Sequence, residues 1–129
     1  MQAHKNAVER IGAAKTILLT TYRRNGTPVG TAVHVVRDDD RLFIRTYDPS
    51  GKIKRLRHNP EVEIAPSTIT GEPTGPSFHA RAVFLKGDDD KRAREALSRK
   101  YPVMHRFLVP WVHRLRGYKT VQMELIPSE

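Results

Sequence analysis

Apolar and polar residues alternate in short runs along the chain, which is the pattern of β-strands with one buried face. In the clearest run, residues 29–37, three valines and a threonine share one face. The other runs predict strands at residues 15–22, 41–47, 61–67, 77–86 and 118–126. An Asn-Gly pair at 25–26 and three aspartates at 38–40 predict that the first three strands form hairpins.

Helical periodicity predicts helices at residues 1–14, 50–59, 88–100 and 103–116, the last interrupted at Pro110. The third begins with three aspartates and ends with two basic residues, which suits the helix dipole. The side chains expected to be buried on this third helix are Ala93, Ala96, Leu97 and Tyr101.

The elements predict one α+β domain over residues 1–129, built mainly of β-structure. Strands joined by short turns pair as antiparallel hairpins. Closing six such strands into a small or partly closed barrel removes the exposed sheet edges, so a six-stranded antiparallel barrel is the expected fold.

Charge indicates an anionic partner. Lys and Arg total 23 against 14 Asp and Glu, a net charge of +9, so nucleic acid, an anionic membrane and a phosphorylated or polycarboxylate small molecule all qualify. The chain has no cysteine, no secretory signal at its start and no apolar run near the roughly 20 residues of a membrane span. We therefore expect a cytoplasmic protein that does not cross a membrane.

The most informative segment is the basic helix at residues 50–59, which directly follows a predicted strand. Lys52, Lys54 and Arg55 lie in or beside its first turn, where the helix dipole already presents positive charge. A bound anion removes that conflict, because free backbone N–H groups and the cations then face the same ligand. The strand–turn–helix context favours a phosphate-binding turn over the alternative of a solvated basic helix.

Other chemistry has little support in the sequence. No nucleophilic triad is visible, and no two histidines have the spacing that places metal ligands on one helical face, so no metal site is expected. His34 and His79 lie within strands, where they either line a pocket or form ordinary surface hydrogen bonds. The aspartate clusters are explained by turns and helix capping.

Nucleic acid and membrane binding are also disfavoured. Only 7% of the residues are aromatic, and no strand carries the interleaved rings on which bases stack, so the basic residues support at most non-specific phosphate contact. Residues 103–116 mix Trp111 with arginines as an interfacial membrane helix does, but Pro110 favours a core-facing or dimer-facing stripe. Trp111 either covers a cofactor or packs in the core.

The strand L-F-I-R-T at 42–46, the segment S-G-K-I-K-R-L-R-H-N-P at 50–60 and the strand E-V-E-I-A-P at 61–66 resemble the split β-barrel flavin and deazaflavin superfamily that includes pyridoxamine 5'-phosphate oxidase. The stretches T-T-Y-R-R-N-G-T-P-V-G-T-A-V at 20–33 and G-E-P-T-G-P at 71–76 resemble the branch that uses coenzyme F420. The resemblance covers residues 15–86 well and the remainder in outline.

The resemblance implies a homodimer with cofactor sites at the subunit interface, where residues 61–76 complete the neighbour's site. It implies that Ser50 and Lys52 hold the cofactor phosphate, that Arg45 and Thr46 flank the ring and phosphate, and that the ring lies along residues 31–33. The cofactor-binding residues expected in full are Thr31, Ala32, Val33, Arg45, Thr46, Ser50, Gly51, Lys52, Lys54 and Arg55.

Two departures from the oxidase pattern distinguish the cofactors. Residues 31–36 lack the Arg and Lys that the oxidases carry near the FMN phosphate, and Gly51 stands where they have an arginine. F420 carries a phosphate and an anionic glutamate tail, which suits the further cations Lys54, Arg55 and Arg57.

We therefore expect an F420-dependent oxidoreductase that transfers hydride from the reduced deazaflavin to an unsaturated small-molecule substrate. Because the cofactor carries the redox chemistry, few catalytic side chains are needed; solvent, Tyr47 or His34 is the expected proton donor. One alternative is an FMN-binding oxidase or reductase of the same fold. The second is a non-enzymatic barrel that binds a cofactor or nucleic acid.

Overall fold

Six antiparallel strands close into a barrel in the computed structural model, which describes residues 2–48, 51–101 and 119–128. The described helices are α1 (Gln2–Ala13), α2 (Gly51–His58) and α3 (Gly87–Lys100). The strands are β1 (Thr16–Tyr22), β2 (Pro28–Asp38), β3 (Arg41–Asp48), β4 (Glu61–Ser67), β5 (Phe78–Phe84) and β6 (Lys119–Pro127). They follow the order β1-β2-β3-β6-β5-β4, and β4 pairs back with β1. The expected six-stranded antiparallel α+β barrel is confirmed.

The two predicted hairpin turns are present. Gly26 adopts a positive φ of 88°, and its N–H donates to the Arg23 carbonyl oxygen at 2.8 Å. Asn25 Oδ1 accepts from the backbone N–H of Thr27 at 3.0 Å. In the next turn Asp39 has a φ of 61°, a conformation that aspartate tolerates better than most residues.

The barrel interior is filled by the alternate residues of its strands. Large side chains with at most 1% exposure form this core, and burying each one contributes roughly 1.5–3 kcal/mol. Helix α1 adds Val8 and Ile11 at the end of the barrel where β1 begins, and α2 adds Leu56 at the end where β1 terminates. The largest strand residues of this core are Ile17, Leu19, Leu42, Ile44, Ile64, Met123 and Leu125.

Helix α3 lies outside the barrel, against β2, β3 and β6. Its expected apolar stripe is confirmed: Ala93, Ala96, Leu97 and Tyr101 form a second cluster with Val36 and Phe43 of the strands. Arg41 of β3 pairs with Asp89 of α3 at 3.1 Å and with Glu124 of β6 at 2.7 Å. The helix is thereby held across the β2–β3 hairpin.

Strands β2 and β3 are paired over only part of their length. Their register runs from Asp38 opposite Arg41 to Val35 opposite Ile44 and stops there. Beyond that point, β2 pairs with β1 and β3 pairs with β6. Among the described residues the barrel is therefore split between residues 28–34 of β2 and residues 45–48 of β3.

Strand boundaries agree closely with the expectation except at β5, which ends at Phe84 rather than at residue 86. Leu85 donates its N–H to Gln122 of β6 but packs against the α3 cluster, so the chain is already turning into the helix. The expected helix at 103–116, with Pro110 and Trp111, lies outside the described residues, as does Ser50. Of the helices described, none has the length and apolar character needed to cross a membrane.

Candidate functional site

Helix α2 is amphipathic in the way its sequence predicts. Ile53 and Leu56 are 2% and 1% exposed and face the barrel, whereas the basic residues around them lie at the surface or half-buried. Asn59 ends the helix: its N–H donates to the Arg55 carbonyl oxygen at 2.8 Å, and its Oδ1 accepts from Glu61 N at 3.1 Å. The first turn contains no acidic residue, so nothing within it offsets the positive end of the dipole.

Arg55 folds back along α2 toward its first turn. Its Nε donates to Thr21 Oγ1 of β1 at 2.6 Å. A Cβ atom added at Gly51 would lie 2.7 Å from Nη1 of Arg55, so the guanidinium occupies the space that any side chain at this position would need. The lack of a side chain at Gly51 thus leaves room for the Arg55 guanidinium.

Lys52 is half-buried beside Arg55. Burial, and then the neighbouring charge of Arg55, lower the pKa of the Lys52 ammonium group. No carboxylate among the described residues forms an ion pair with either side chain. Two adjacent cations are therefore partly desolvated without a compensating anion, which is unfavourable unless a ligand supplies one.

A cavity of about 290 Å³ lies at the same end of the barrel. The residues that line it are Tyr22, Arg23, Arg24, Gly51, Lys54, Arg55 and His58, and none of these is acidic. Burial, and then the charge of Glu63, raise the pKa of Tyr22. Lys54 and Arg55 thus line a basic cavity, and Lys52 lies next to it.

The expected ring-binding residues on β2 face both sides of the sheet. Thr31 pairs with Leu19, which is fully buried, and Val33 is 7% exposed. Ala32 pairs with Leu18 on the outer face, where a turn through Gly71 packs against both. Residues 31–33 therefore form the β2 side of the split rather than a single surface.

Two buried hydroxyl groups in this region have no hydrogen-bond partner among the described residues: Thr31 Oγ1 and Thr46 Oγ1. Thr46 is 2% exposed, and β3 is no longer paired with β2 at this position. An unsatisfied buried hydroxyl costs roughly 1–3 kcal/mol. Their position along the split is consistent with a polar ligand that would satisfy them.

Arg45 points away from this region. It lies opposite Gln122 in the sheet, and with the Gln122 amide turned to satisfy its neighbours, Arg45 Nε donates to the amide oxygen at 3.0 Å. The amide nitrogen then donates to Asp90 of α3. The structure does not bring Arg45 together with Lys52 and Arg55.

The two candidate proton donors differ in position. His34 stacks on Tyr101 with ring centroids 4.3 Å apart, near the end of the barrel where β1 begins, and so lies away from α2. Burial, followed by the charges of Lys15 and Lys100, lowers the pKa of His34. Tyr47 lies at the other end, one residue beyond Thr46 on β3, and its backbone pairs with Thr120.

Several residues of this site were missed by the sequence analysis: Thr21, Tyr22, Arg23, Arg24 and His58. Arg23 and Arg24 read only as part of a hairpin connection, and it is barrel closure that brings them to α2. Thr21 did give a signal, because it is a polar residue ending an inward-facing row after Ile17 and Leu19. Arg57 lies over the Phe84 ring at 5.6 Å instead of lining the cavity. No group of metal-binding side chains occurs in the part of the chain that the structure describes.

Comparison with known proteins assigns this arrangement to a family. Residues 3–120 match the family Pyridoxamine 5'-phosphate oxidase. The chain belongs to the pyridoxamine 5'-phosphate oxidase family. This membership confirms the split-barrel superfamily expected from the sequence and supports a flavin-related oxidoreductase. None of the curated proteins matches the sequence significantly.

Solved structures of the same fold have diverse functions. The heme storage protein HutZ from Vibrio cholerae is 17% identical, with a TM-score of 0.69 over 100% of this chain and 92% of its own. A conserved hypothetical protein from Mycobacterium tuberculosis is 19% identical, with a TM-score of 0.69 over 96% and 79%. A putative pyridoxamine 5'-phosphate oxidase from Listeria innocua is 13% identical, with a TM-score of 0.64 over 98% and 94%. At these identities the likeness establishes the fold, and function depends on the site.

Proposed function

We propose that this protein is an F420-dependent oxidoreductase that binds the phosphate of its cofactor at the first turn of α2. The observation that carries the proposal is the pair Lys52 and Arg55: both are half-buried, adjacent and without an acidic partner among the described residues. Such a pair is stabilised by a bound phosphate group, since each cation then gains a charge-assisted hydrogen bond.

The chain's residues fit a cofactor with more than one anionic group. Lys52, Arg55 and Ser50 would hold the phosphate, and Arg23, Arg24 and Lys54 would hold the carboxylates of a glutamate tail in the 290 Å³ cavity. FMN has a single phosphate and leaves these further cations without a function. The number of cations around the cavity therefore supports F420 over FMN.

When bound and reduced, F420 supplies a hydride to an unsaturated substrate. The protein's part is to bind, orient and exclude water. The buried hydroxyl groups of Thr31 and Thr46 would orient the ring through hydrogen bonds, and Val33 would exclude water from the split. For the proton that must follow, solvent or Tyr47, whose backbone lies at the α2 end of β3, is favoured over His34, which is stacked near the other end.

We also propose that the protein is a homodimer. Ile69 is 79% exposed on a turn fixed by hydrogen bonds from Gly71 N to the Thr68 carbonyl oxygen and from Glu72 N to Thr68 Oγ1. In the dimer that the family resemblance implies, the neighbouring subunit would cover this side chain. Sedimentation should give a dimer, and a stable monomer that binds F420 tightly would contradict the proposal.

Titration of the purified protein with F420, FMN and hemin tests the choice of cofactor. Hemin is included because HutZ is a heme storage protein. We expect saturable binding of F420, observed by fluorescence and calorimetry, that weakens when inorganic phosphate is added and when Lys52→Ala is introduced. Tighter binding of FMN, with yellow protein on purification, would favour the FMN alternative. Saturable binding of hemin alone would reject the oxidoreductase proposal.

A further inference from the structure

Thr21 is an unusual residue for its position. It is fully buried at the end of the inward-facing row of β1, where its neighbours in the row are Ile17 and Leu19. Its Oγ1 lies 3.4 Å from the Val29 carbonyl oxygen, to which it donates, and accepts from Arg55 Nε at 2.6 Å. Because the hydroxyl proton is directed to Val29, an oxygen lone pair remains available to the guanidinium.

The contact with Thr21 determines which part of Arg55 is available to a ligand. Nε is occupied, and no hydrogen bond joins Nη1 or Nη2 to another described residue. Gly51 lies directly beneath Nη1, so the free end of the guanidinium lies over the first turn of α2. Two parallel N–H donors at this end match two oxygens of a phosphate group.

We propose that Thr21 is a positioning residue, which holds Arg55 over Gly51 so that Nη1 and Nη2 bind the phosphate of the cofactor end-on. This inference rests on the proposed function, because it specifies how the same anion is bound. It also explains why residue 51 is a glycine. The positive-φ glycines of the described chain are Gly26, Gly71 and Gly87, so the backbone at Gly51 does not itself require glycine. The guanidinium of Arg55 does, because it fills the space that a side chain would need. An arginine already held in its binding conformation loses less rotamer freedom when the ligand binds.

A double-mutant cycle between Thr21 and Arg55 tests the inference, with affinity for F420 and for FMN measured by calorimetry. Thr21→Val keeps the shape and removes the acceptor, and we expect it to weaken binding about fivefold, the effect of one hydrogen bond. Arg55→Ala should weaken binding about tenfold or more. The double variant should bind as Arg55→Ala does, because Thr21 acts only through the arginine.

Three further variants separate positioning from stability. Thr21→Ser retains the hydroxyl and should restore affinity to near the wild-type value. Thr20→Val changes the adjacent, outward-facing threonine, which does not contact Arg55, and should leave affinity unchanged. Gly51→Ala should weaken binding by displacing the guanidinium, while the melting temperature of the ligand-free protein stays the same or rises, since alanine favours the helix.

Other outcomes would overturn the inference. If Thr21→Val weakens binding equally with and without Arg55, the threonine acts on the fold and does not position the arginine. Unchanged affinity in Thr21→Val would also show that the threonine does not position the arginine. If Lys52→Ala weakens binding and Arg55→Ala does not, this inference fails while the proposed function stands. If neither variant affects affinity for F420 or FMN, both fail.

Discussion

The two ends of the barrel each contain a half-buried lysine, but only one of these lysines is hydrogen-bonded within the described chain. Where β1 begins, Lys100 Nζ donates to the carbonyl oxygens of Ala14 at 2.7 Å, Val35 at 2.8 Å and Gly12 at 3.3 Å. Where β1 terminates, Lys52 makes no hydrogen bond to a described residue. Burial lowers the pKa of both ammonium groups.

The difference shows how a buried charge can be recognised as structural or functional. Both lysines lose hydration on folding, which is unfavourable for a cation. For Lys100, hydrogen bonds within the chain compensate for the lost hydration. They lie at the carbonyl end of α1, where the dipole also favours positive charge. Lys52 lies at the amino end of α2, where the dipole opposes it, and no described residue compensates its charge.

The largest effect on stability is expected at the end of the barrel where Lys100 is hydrogen-bonded. Lys100→Met removes an ammonium group that serves three carbonyl oxygens and should lower the free energy of unfolding by about 3 kcal/mol, or about 10 °C in melting temperature. Denaturant unfolding measures this change. Lys91→Met, at an exposed position on α3, is the control and should be near neutral. A loss below about 0.5 kcal/mol in Lys100→Met, within the range of ordinary surface changes, would show that the carbonyl contacts do not stabilise the protein.

The opposite result is expected at the other end. Lys52→Ala removes a charge-assisted contact and should weaken cofactor binding by about 1.5–3 kcal/mol, or ten- to a hundredfold. Without ligand the variant should melt at the same or a slightly higher temperature, because an unpaired cation has left a partly buried site. Calorimetry and thermal melts measure the two effects, with the exposed Lys5→Ala as control. A large fall in the melting temperature would instead make Lys52 a structural residue.

The smallest effect is on the pH dependence of stability, and it concerns His34 at the same end of the barrel as Lys100. Burial, with Lys15 and Lys100, lowers the pKa of His34 below its unfolded value of about 6.5, so the unfolded chain binds more protons under acidic conditions. This contribution to stability is present above pH 6.5. It is lost as the pH falls from the pKa of His34 in the unfolded chain toward its lower pKa in the folded protein. His34→Phe keeps the stacking on Tyr101 and should flatten the stability profile between about pH 7 and pH 5.

Denaturant unfolding across this pH range provides the measurement. The exposed His79→Phe, on β5, is the matched variant and should retain the wild-type slope. If His34→Phe and the wild type have the same slope, burial of His34 does not contribute to the acid sensitivity of the protein.

The sequence predicts the fold well because the core is formed by alternation. Inward-facing rows such as Ile17 and Leu19 are regular, and each hairpin turn carries its own signal in Asn25-Gly26 or in the aspartates 38–40. The end of β5 was misplaced because Leu85 is apolar in either setting. Only the packing of α3 decides that it belongs with the outer cluster.

The candidate site was predictable only in part. The helix-dipole conflict at Lys52 and Arg55 can be read from local sequence, and the structure has both cations half-buried and adjacent. The participation of Arg23 and Thr21 depends on which strand end closes over α2, which is a property of the barrel. Arg45 was expected beside the phosphate, but its direction follows from the alternation of β3 and the position of Gln122.

The strand order has a consequence for the synthesis of this protein. β6 lies between β3 and β5, although it is the last of the described strands to leave the ribosome. Until residues 119–127 emerge, the nascent chain can form the β1–β2–β3 hairpins and the β1–β4–β5 pairs, which leaves β3 and β5 as open edges. Such edges pair readily with other chains, so the nascent protein is most exposed to aggregation just before β6 emerges. Helix α3 is made before β6 and packs on Phe43 of β3. It can therefore shield apolar surface next to one of the two open edges during that interval.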